Sequence, residues 1–317
     1  MRDPRLGIER ALFYCLGLKK YERLLIITDD ILGNLANLFY EVARKHQIDA
    51  AVLKIPAVGM DGSEPPAIVA DALHHGGVAL IITRYSMTHT RAREKATHRG
   101  TRIACLPGFT RQMLAGPLMV DYEELKRLSV KMSRYLDSAN TAHLLSNDGS
   151  CLTMSLEERA GFADFGIYTA AKDFGNLPAG EAFIAPVESS ANGKVVIDGS
   201  MTRIGLLKSP MTLTFERGLV TKIEGGEEGL LLEAMLREAG RGATNLAELG
   251  IGTNPCATVI GDILNDEKAL GTVHIALGDN LNFGGTVDCR LHIDGVIKEP
   301  TLYLDDFLIM EKGVLMV

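Results

Sequence analysis

Arg23-Leu24-Leu25-Ile26-Ile27-Thr28, an amphipathic stretch from Ile31 to His46, and a second apolar run from Ile48 to Ile55 form the segment on which the fold turns. Buried strands separated by helix-length amphipathic stretches are the pattern of a parallel sheet, because crossover helices cover both faces and leave the strands no solvated side. The alternation continues through Pro66 to His75, Val78 to Thr83, Arg91 to Arg99 and Arg102 to Leu106. An open parallel α/β domain is therefore expected over residues 1–145. Spaced apolar residues between Met113 and Leu145 predict a long surface helix at its end.

Beyond residue 145 the texture changes. Strand-like runs now come with turn signals: Cys151 to Leu156, Glu181 to Ala185, Lys194 to Asp198, Met211 to Glu216 and Leu219 to Glu224, with Arg217-Gly218 as a hairpin turn. Helices are expected at Glu227 to Ala239 and Ala257 to Asn265. Strands return at Thr272 to Leu277, Cys289 to Lys298, Thr301 to Leu304 and Phe307 to Val317. Residues 146–317 thus read as a mainly β, α+β domain that carries the chemistry.

Composition removes several classes of function. Of 317 residues, 46% are apolar and 23% charged, as in a folded globular protein, and no apolar run approaches the ~18 residues of a bilayer span. Net charge is −7, so there is no positive field to hold a nucleic-acid backbone or an anionic membrane surface. The five cysteines are scattered, with no Cys-x-x-Cys, which argues against a disulfide framework or zinc ribbon and for a reducing, cytoplasmic setting.

Five residues stand out. His292 and Asp294 are two apart in a strand and project from one face, so an imidazole and a carboxylate converge. His274 sits between Val273 and Ile275 in an otherwise apolar run, Glu181 opens another, and Glu248 lies between Ala247 and Leu249. Singly, each has an ordinary reading as a core histidine, a strand-start acid or a surface pair. Together they are ligands suited to Zn²⁺, Mn²⁺ or Co²⁺. Their three carboxylates, two divalent ions and one shared hydroxide would balance to zero, which favours a two-ion site able to activate water.

Four stretches carry a family resemblance: Gly180-Glu181-Ala182-Phe183-Ile184-Ala185-Pro186, Glu248-Leu249-Gly250-Ile251-Gly252-Thr253-Asn254-Pro255, Gly271-Thr272-Val273-His274-Ile275-Ala276-Leu277-Gly278, and His292-Ile293-Asp294. In order and spacing the chain resembles the thermophilic-type metallo-aminopeptidases, the aminopeptidase T and aminopeptidase S group. That resemblance implies an α/β domain followed by a β-rich catalytic domain, a homodimer, and two divalent ions (Zn, Co or Mn) held by Glu181, Glu248, His274, His292 and Asp294. It departs from the peptidases at Leu281, where they carry a tyrosine. The chain also resembles the 2,5-dihydroxypyridine ring-cleaving dioxygenases, for which His274, His292 and Asp294 would hold a single Fe(II).

The expectation that follows is a cytoplasmic, dinuclear, aminopeptidase-like hydrolase acting on a small peptide or amino-acid derivative. The alternatives are a mononuclear Fe(II) ring-cleaving dioxygenase and a non-catalytic protein that keeps a metal for stability. His89, in a loop after the Val78 to Thr83 strand, and Asp279 are the candidates for proton transfer, since loops at the carboxyl ends of parallel strands bind ligands. An ordinary helix entry capped by Thr88 or Thr90 is the alternative for the first of these.

Overall fold

The computed structural model describes residues 3–75, 77–146 and 148–317. It divides into two compact units. The first comprises residues 1–122 and 166–179, the second residues 123–165 and 180–317.

Within the first unit, the runs picked out above become a five-stranded, wholly parallel sheet. Its order is Asp49–Ile55, Arg23–Asp29, Val78–Ile82, Arg102–Cys105 and Phe174–Asn176. Val78–Ile82 is buried along its whole length, as its unbroken apolar sequence requires. Ile27, Ile81 and Ile103 pack with Val69 and Leu73 of the Ala67–His75 helix and Ala96 of the Arg91–His98 helix. Each buried isoleucine contributes roughly 1.5–3 kcal/mol. The fifth strand, Phe174–Asn176, arrives from some seventy residues further along the chain. No local pattern announces it.

The second unit begins with the Tyr122–Ser138 helix, whose first residue belongs to the first unit. The expected boundary at residue 145 falls inside this unit. The long helix predicted over 113–145 is shorter: Gly116 and Pro117 interrupt it, and Thr141–Leu145 is a strand with Ala142 and Leu144 buried. Likewise the helix expected at Ala257 to Asn265 shrinks to one turn, Ile263–Asp266.

Two antiparallel sheets make up the rest. One has eight strands, with Cys151–Ser155 and Thr141–Leu145 near its centre. The other has seven, ordered Gly205–Leu206, Ser200–Met201, His292–Lys298, Thr272–Gly278, Leu246–Gly252, Glu181–Ile184 and Phe162–Asp164. Alternate residues of the second sheet, including Ile184, Leu249, Ile251, Val273, Ile275, Leu277, Ile293 and Ile297, share one core with Leu144, Leu152, Val195, Leu213 and Leu302 of the first. A period of two then sends Glu181, His274, His292 and Asp294 to the other face. Glu248 joins them through an irregularity. Register slips by one residue between Leu246 and Glu248, so both Leu246 and Leu249 reach the core and Glu248 is turned away from it. Among the described residues, no helix is long and apolar enough to cross a membrane.

Candidate metal centre

The register of the seven-stranded sheet places the polar face in rows. Glu248, Ala276 and Asp294 lie side by side on three neighbouring strands, and Gly250, His274 and Val296 form the next row. Glu181 pairs with Gly252, and His292 with Gly278. Small residues thus alternate with the ionisable ones and leave them room. Gly250 has a stronger constraint: a Cβ there would stand 2.0 Å from His274 Nε2, so only glycine admits the imidazole.

All five predicted ligands meet. His274 Nε2 lies 3.3 Å from Glu248 Oε1 and 3.4 Å from Glu181 Oε2. His292 Nε2 lies 3.4 Å from Glu248 Oε2 and 3.3 Å from Asp294 Oδ1. Glu248 therefore faces one imidazole with each oxygen. Glu181 and Glu248 are 7% and 6% exposed, and His274 is fully buried. Three overlapping groups have ligand atoms within 4.8 Å of one another: Glu181, Glu248 and His274; Glu248, His292 and Asp294; and Glu267, His274 and Asp294.

Two members of this constellation were not anticipated. Lys268 is 2% exposed, and its ammonium lies 2.6 Å from Glu181 Oε1 and 2.7 Å from Glu267 Oε1. No apolar pattern marks Asp266-Glu267-Lys268 in the sequence, and the fold buries all three. With Lys268, Glu267 and Asp164, which is paired in register with Glu181, the charge balance drawn from three carboxylates no longer separates one ion from two.

The second neighbours orient the donors. Asp279 O accepts from His292 Nδ1 at 2.9 Å, which directs Nε2 to the carboxylates and makes it the ligating nitrogen of the neutral ring. Thr202 Oγ1 accepts from the Asp294 backbone N–H at 2.9 Å and donates to Asp294 Oδ2 at 3.3 Å. His274 Nδ1 is buried with no hydrogen-bond partner among the described residues, so no acceptor fixes its tautomer.

Charge and burial work against each other throughout this cluster. Burial opposes a charged His274, but the Glu248 hydrogen bond and the charges of Glu181 and Glu248 outweigh it and push the imidazole up to about 9. His292 is also raised: burial works against it, and Asp294 and Glu248 overcome that. Glu248 is depressed, since its bonds to both imidazoles exceed the cost of burial. Burial lifts Glu267 to about 7, with Lys268 in opposition.

The two proton-transfer candidates are placed differently from each other. Asp279 adjoins the centre through its carbonyl, while its carboxylate accepts from Cys289 N at 3.1 Å. His89 belongs to the first unit, exposed just ahead of the Arg91–His98 helix, whose N-cap is Thr90, with Oγ1 accepting from Arg93 N at 3.3 Å. Leu281 is 51% exposed in a short turn. Its neighbour Phe283 meets His292 edge to face at 5.9 Å and Phe183 at 5.6 Å, and Phe183 stacks on Phe162 at 5.5 Å.

With these residues located, the chain can be compared with known proteins. The model of the NicX family, 2,5-dihydroxypyridine 5,6-dioxygenase, matches residues 40–317. The chain belongs to this family. A 2,5-dihydroxypyridine 5,6-dioxygenase from Pseudomonas putida is 24% identical over 302 residues, covering 87% of this chain and 85% of its own. The structure of 2,5-dihydroxypyridine dioxygenase from P. putida KT2440 superposes with a TM-score of 0.83 at 19% identity, over 99% of this chain and 97% of the other. Wild-type AmpT from Thermus thermophilus superposes with a TM-score of 0.75 at 18% identity, over 99% of both. The likeness to AmpT is one of fold. Membership of the dioxygenase family overturns the expected aminopeptidase-like hydrolase: the motifs shared with the peptidases specify the sheet and its polar face, and these serve more than one chemistry.

Proposed function

We propose that this chain is a mononuclear, iron(II)-dependent dioxygenase that opens the ring of a dihydroxylated pyridine or a closely similar planar heteroaromatic. The observation that carries the reading is that His274, His292 and Asp294 gather around Glu248 on the polar face of one sheet, with both imidazoles facing Glu248 and His292 3.3 Å from Asp294, in a member of the dihydroxypyridine dioxygenase family. Two histidines and one carboxylate with open positions are the donor set of non-haem iron oxygenases. The surroundings fit such an ion, because His292 is oriented through Asp279 O, Asp294 is held by Thr202, and Gly250 clears the space that His274 fills.

Bound there, iron(II) would supply the redox capacity and open coordination positions that dioxygen and an aromatic diol need. The chain's own residues supply the rest. Glu248, with one oxygen on each imidazole, keeps both rings directed to the same place. Phe283 and Phe183 form an apolar wall beside His292, against which a planar ring can stack at the ~4.5–7 Å centroid spacing of aromatic pairs. Backbone and hydroxyl bonds to His292 and Asp294 hold the donors still, so little reorganisation is needed when substrate arrives.

Oxygen uptake by anaerobically reconstituted iron(II) protein tests this reading. With 2,5-dihydroxypyridine, one dioxygen should be consumed per substrate as the aromatic absorbance disappears, and His292→Ala should abolish both. Iron-loaded protein that consumes no dioxygen with dihydroxypyridine or with related planar heteroaromatic diols would refute it.

A further inference from the structure

The buried ammonium of Lys268 stands where a second metal ion would have to be held. Of the three groups of donors in the centre, one contains Glu181 and another contains Glu267. Each of these carboxylates already gives an oxygen to Lys268 Nζ, at 2.6 and 2.7 Å. The third group, Glu248, His292 and Asp294, contains no carboxylate bonded to the lysine, and with His274, whose Nε2 faces Glu248 at 3.3 Å, it supplies the donors for one ion. A pair of catalytic ions stands ~3.5–4 Å apart and shares bridging donors, so the second ion needs carboxylate oxygens beyond those of the first. Here one oxygen of each is engaged by a covalently attached cation, and a second ion beside Glu181 Oε2, which faces His274 at 3.4 Å, would stand against that positive charge.

The lysine is not free to leave. Its carbonyl accepts from Asn254 N at 2.8 Å, its amide donates to Asn265 O at 3.2 Å, and the next residue, Ala269, bridges to Asn254. The stem is buried along with the head, since the side chain is 2% exposed. Swinging the ammonium out would leave the buried carboxyls of Glu181 and Glu267 without their cation, which burial opposes. A metal ion in the same place exchanges with solvent; a lysine does not.

We propose that Lys268 is a built-in second cation, which is shared by Glu181 and Glu267 and limits this centre to a single divalent ion. Lys268 thereby acts as a positioning residue for the metal site, not as a group that touches substrate. The proposal rests on the reading of the centre as a metal site, and it deepens the mononuclear reading above by naming the residue that enforces it.

Metal stoichiometry tests it independently of turnover. Chelator-stripped protein titrated with Mn²⁺ should bind one equivalent in the wild type and show the six-line spectrum of an isolated ion by electron paramagnetic resonance. Lys268→Ala should bind two equivalents and show the broadened spectrum of a coupled pair. Adding Glu181→Gln to that variant should return it to one. Lys268→Gln, which keeps most of the side-chain volume, serves if the alanine variant does not fold, and it too should bind two. Two equivalents in the wild type, or one equivalent in folded neutral variants at position 268, would overturn the proposal. A wild-type chain that takes no ion overturns the metal reading and this proposal together. One ion bound with no oxygen uptake on dihydroxypyridine or related planar heteroaromatic diols supports the role of Lys268 and refutes ring cleavage.

Discussion

Val78–Ile82 in the first unit and Thr272–Gly278 in the second are both buried along their whole length, yet they are opposite in chemistry. The first is Val-Ala-Leu-Ile-Ile, the centre of a parallel sheet, and it has no side chain that needs a partner. The second carries His274 at its middle, fully buried, with two carboxylates within 3.4 Å. Burial of the first is stabilising in itself, through apolar area removed from water. Burial of the second is costly, and the cost is met only by the charges around it. A strand that keeps an ionisable group at such cost is the place to look for function, and a strand of equal burial without one is scaffold.

The contrast can be broken most directly in the scaffold. Ile81→Ala, in the apolar strand, is expected to lower unfolding free energy by about 2–5 kcal/mol while leaving metal stoichiometry of the folded protein unchanged. Chemical denaturation measures the loss, and a change below ~1 kcal/mol would show that the packing of that strand is not what holds the sheet.

In the ionisable strand the expected response is to pH. His274 is raised to about 9 in the metal-free protein and His292 is raised as well, and an ion requires both imidazoles neutral, so binding displaces protons and affinity should rise with pH through about 9. The slope is up to about tenfold per pH unit for one displaced proton. Metal-free stability should run the other way. The contribution of a raised histidine is complete below its unfolded value of about 6.5 and is lost as pH climbs through about 9. Calorimetric titrations at several pH values, with thermal melts of the stripped protein, would show both slopes, and parallel slopes would sink the assignment of His274 to the site.

Gly250→Ala sharpens the comparison at one position. A methyl 2.0 Å from His274 Nε2 must move the ring, so metal affinity should fall about 10–100-fold, the range seen when ligand-orienting neighbours are lost. Unchanged affinity would mean that the imidazole is not a ligand. The smallest effect belongs to the first unit, where Arg102 holds Glu22 bidentately at 2.9 Å through both nitrogens and keeps its carboxyl below the ordinary value. Glu22→Gln should cost about 1 kcal/mol at neutral pH. Because the folded value is lowered, that difference is present above the unfolded value and vanishes as pH falls through the folded one, which acid-dependent melts of both proteins would reveal.

Much of this was legible because the relevant signals are local. Alternating apolar and amphipathic runs announced the parallel sheet, and His292-Ile293-Asp294 announced two donors on one face. Where the reading failed, distant pairing was responsible. Phe174–Asn176 adds to a sheet whose other strands end at Cys105, and Thr141–Leu145 is a strand because Cys151–Ser155 and Thr301–Leu304 lie beside it. The preference for a hydrolase came from motifs that describe the polar face and not the reaction performed on it.

By itself the sequence determined which residue types alternate along the strands it announced, and so that His292 and Asp294 would share a face and that Glu181 and His274 would stand apart from the apolar residues beside them. Only the tertiary structure decided that a one-residue slip at Leu246–Glu248 turns a carboxylate toward both imidazoles, and that Glu267 and Lys268, adjacent charges in the chain, are buried beside them. Side-chain direction follows from a period of two that any stretch of chain carries within it, whereas register and burial depend on partners far away in sequence.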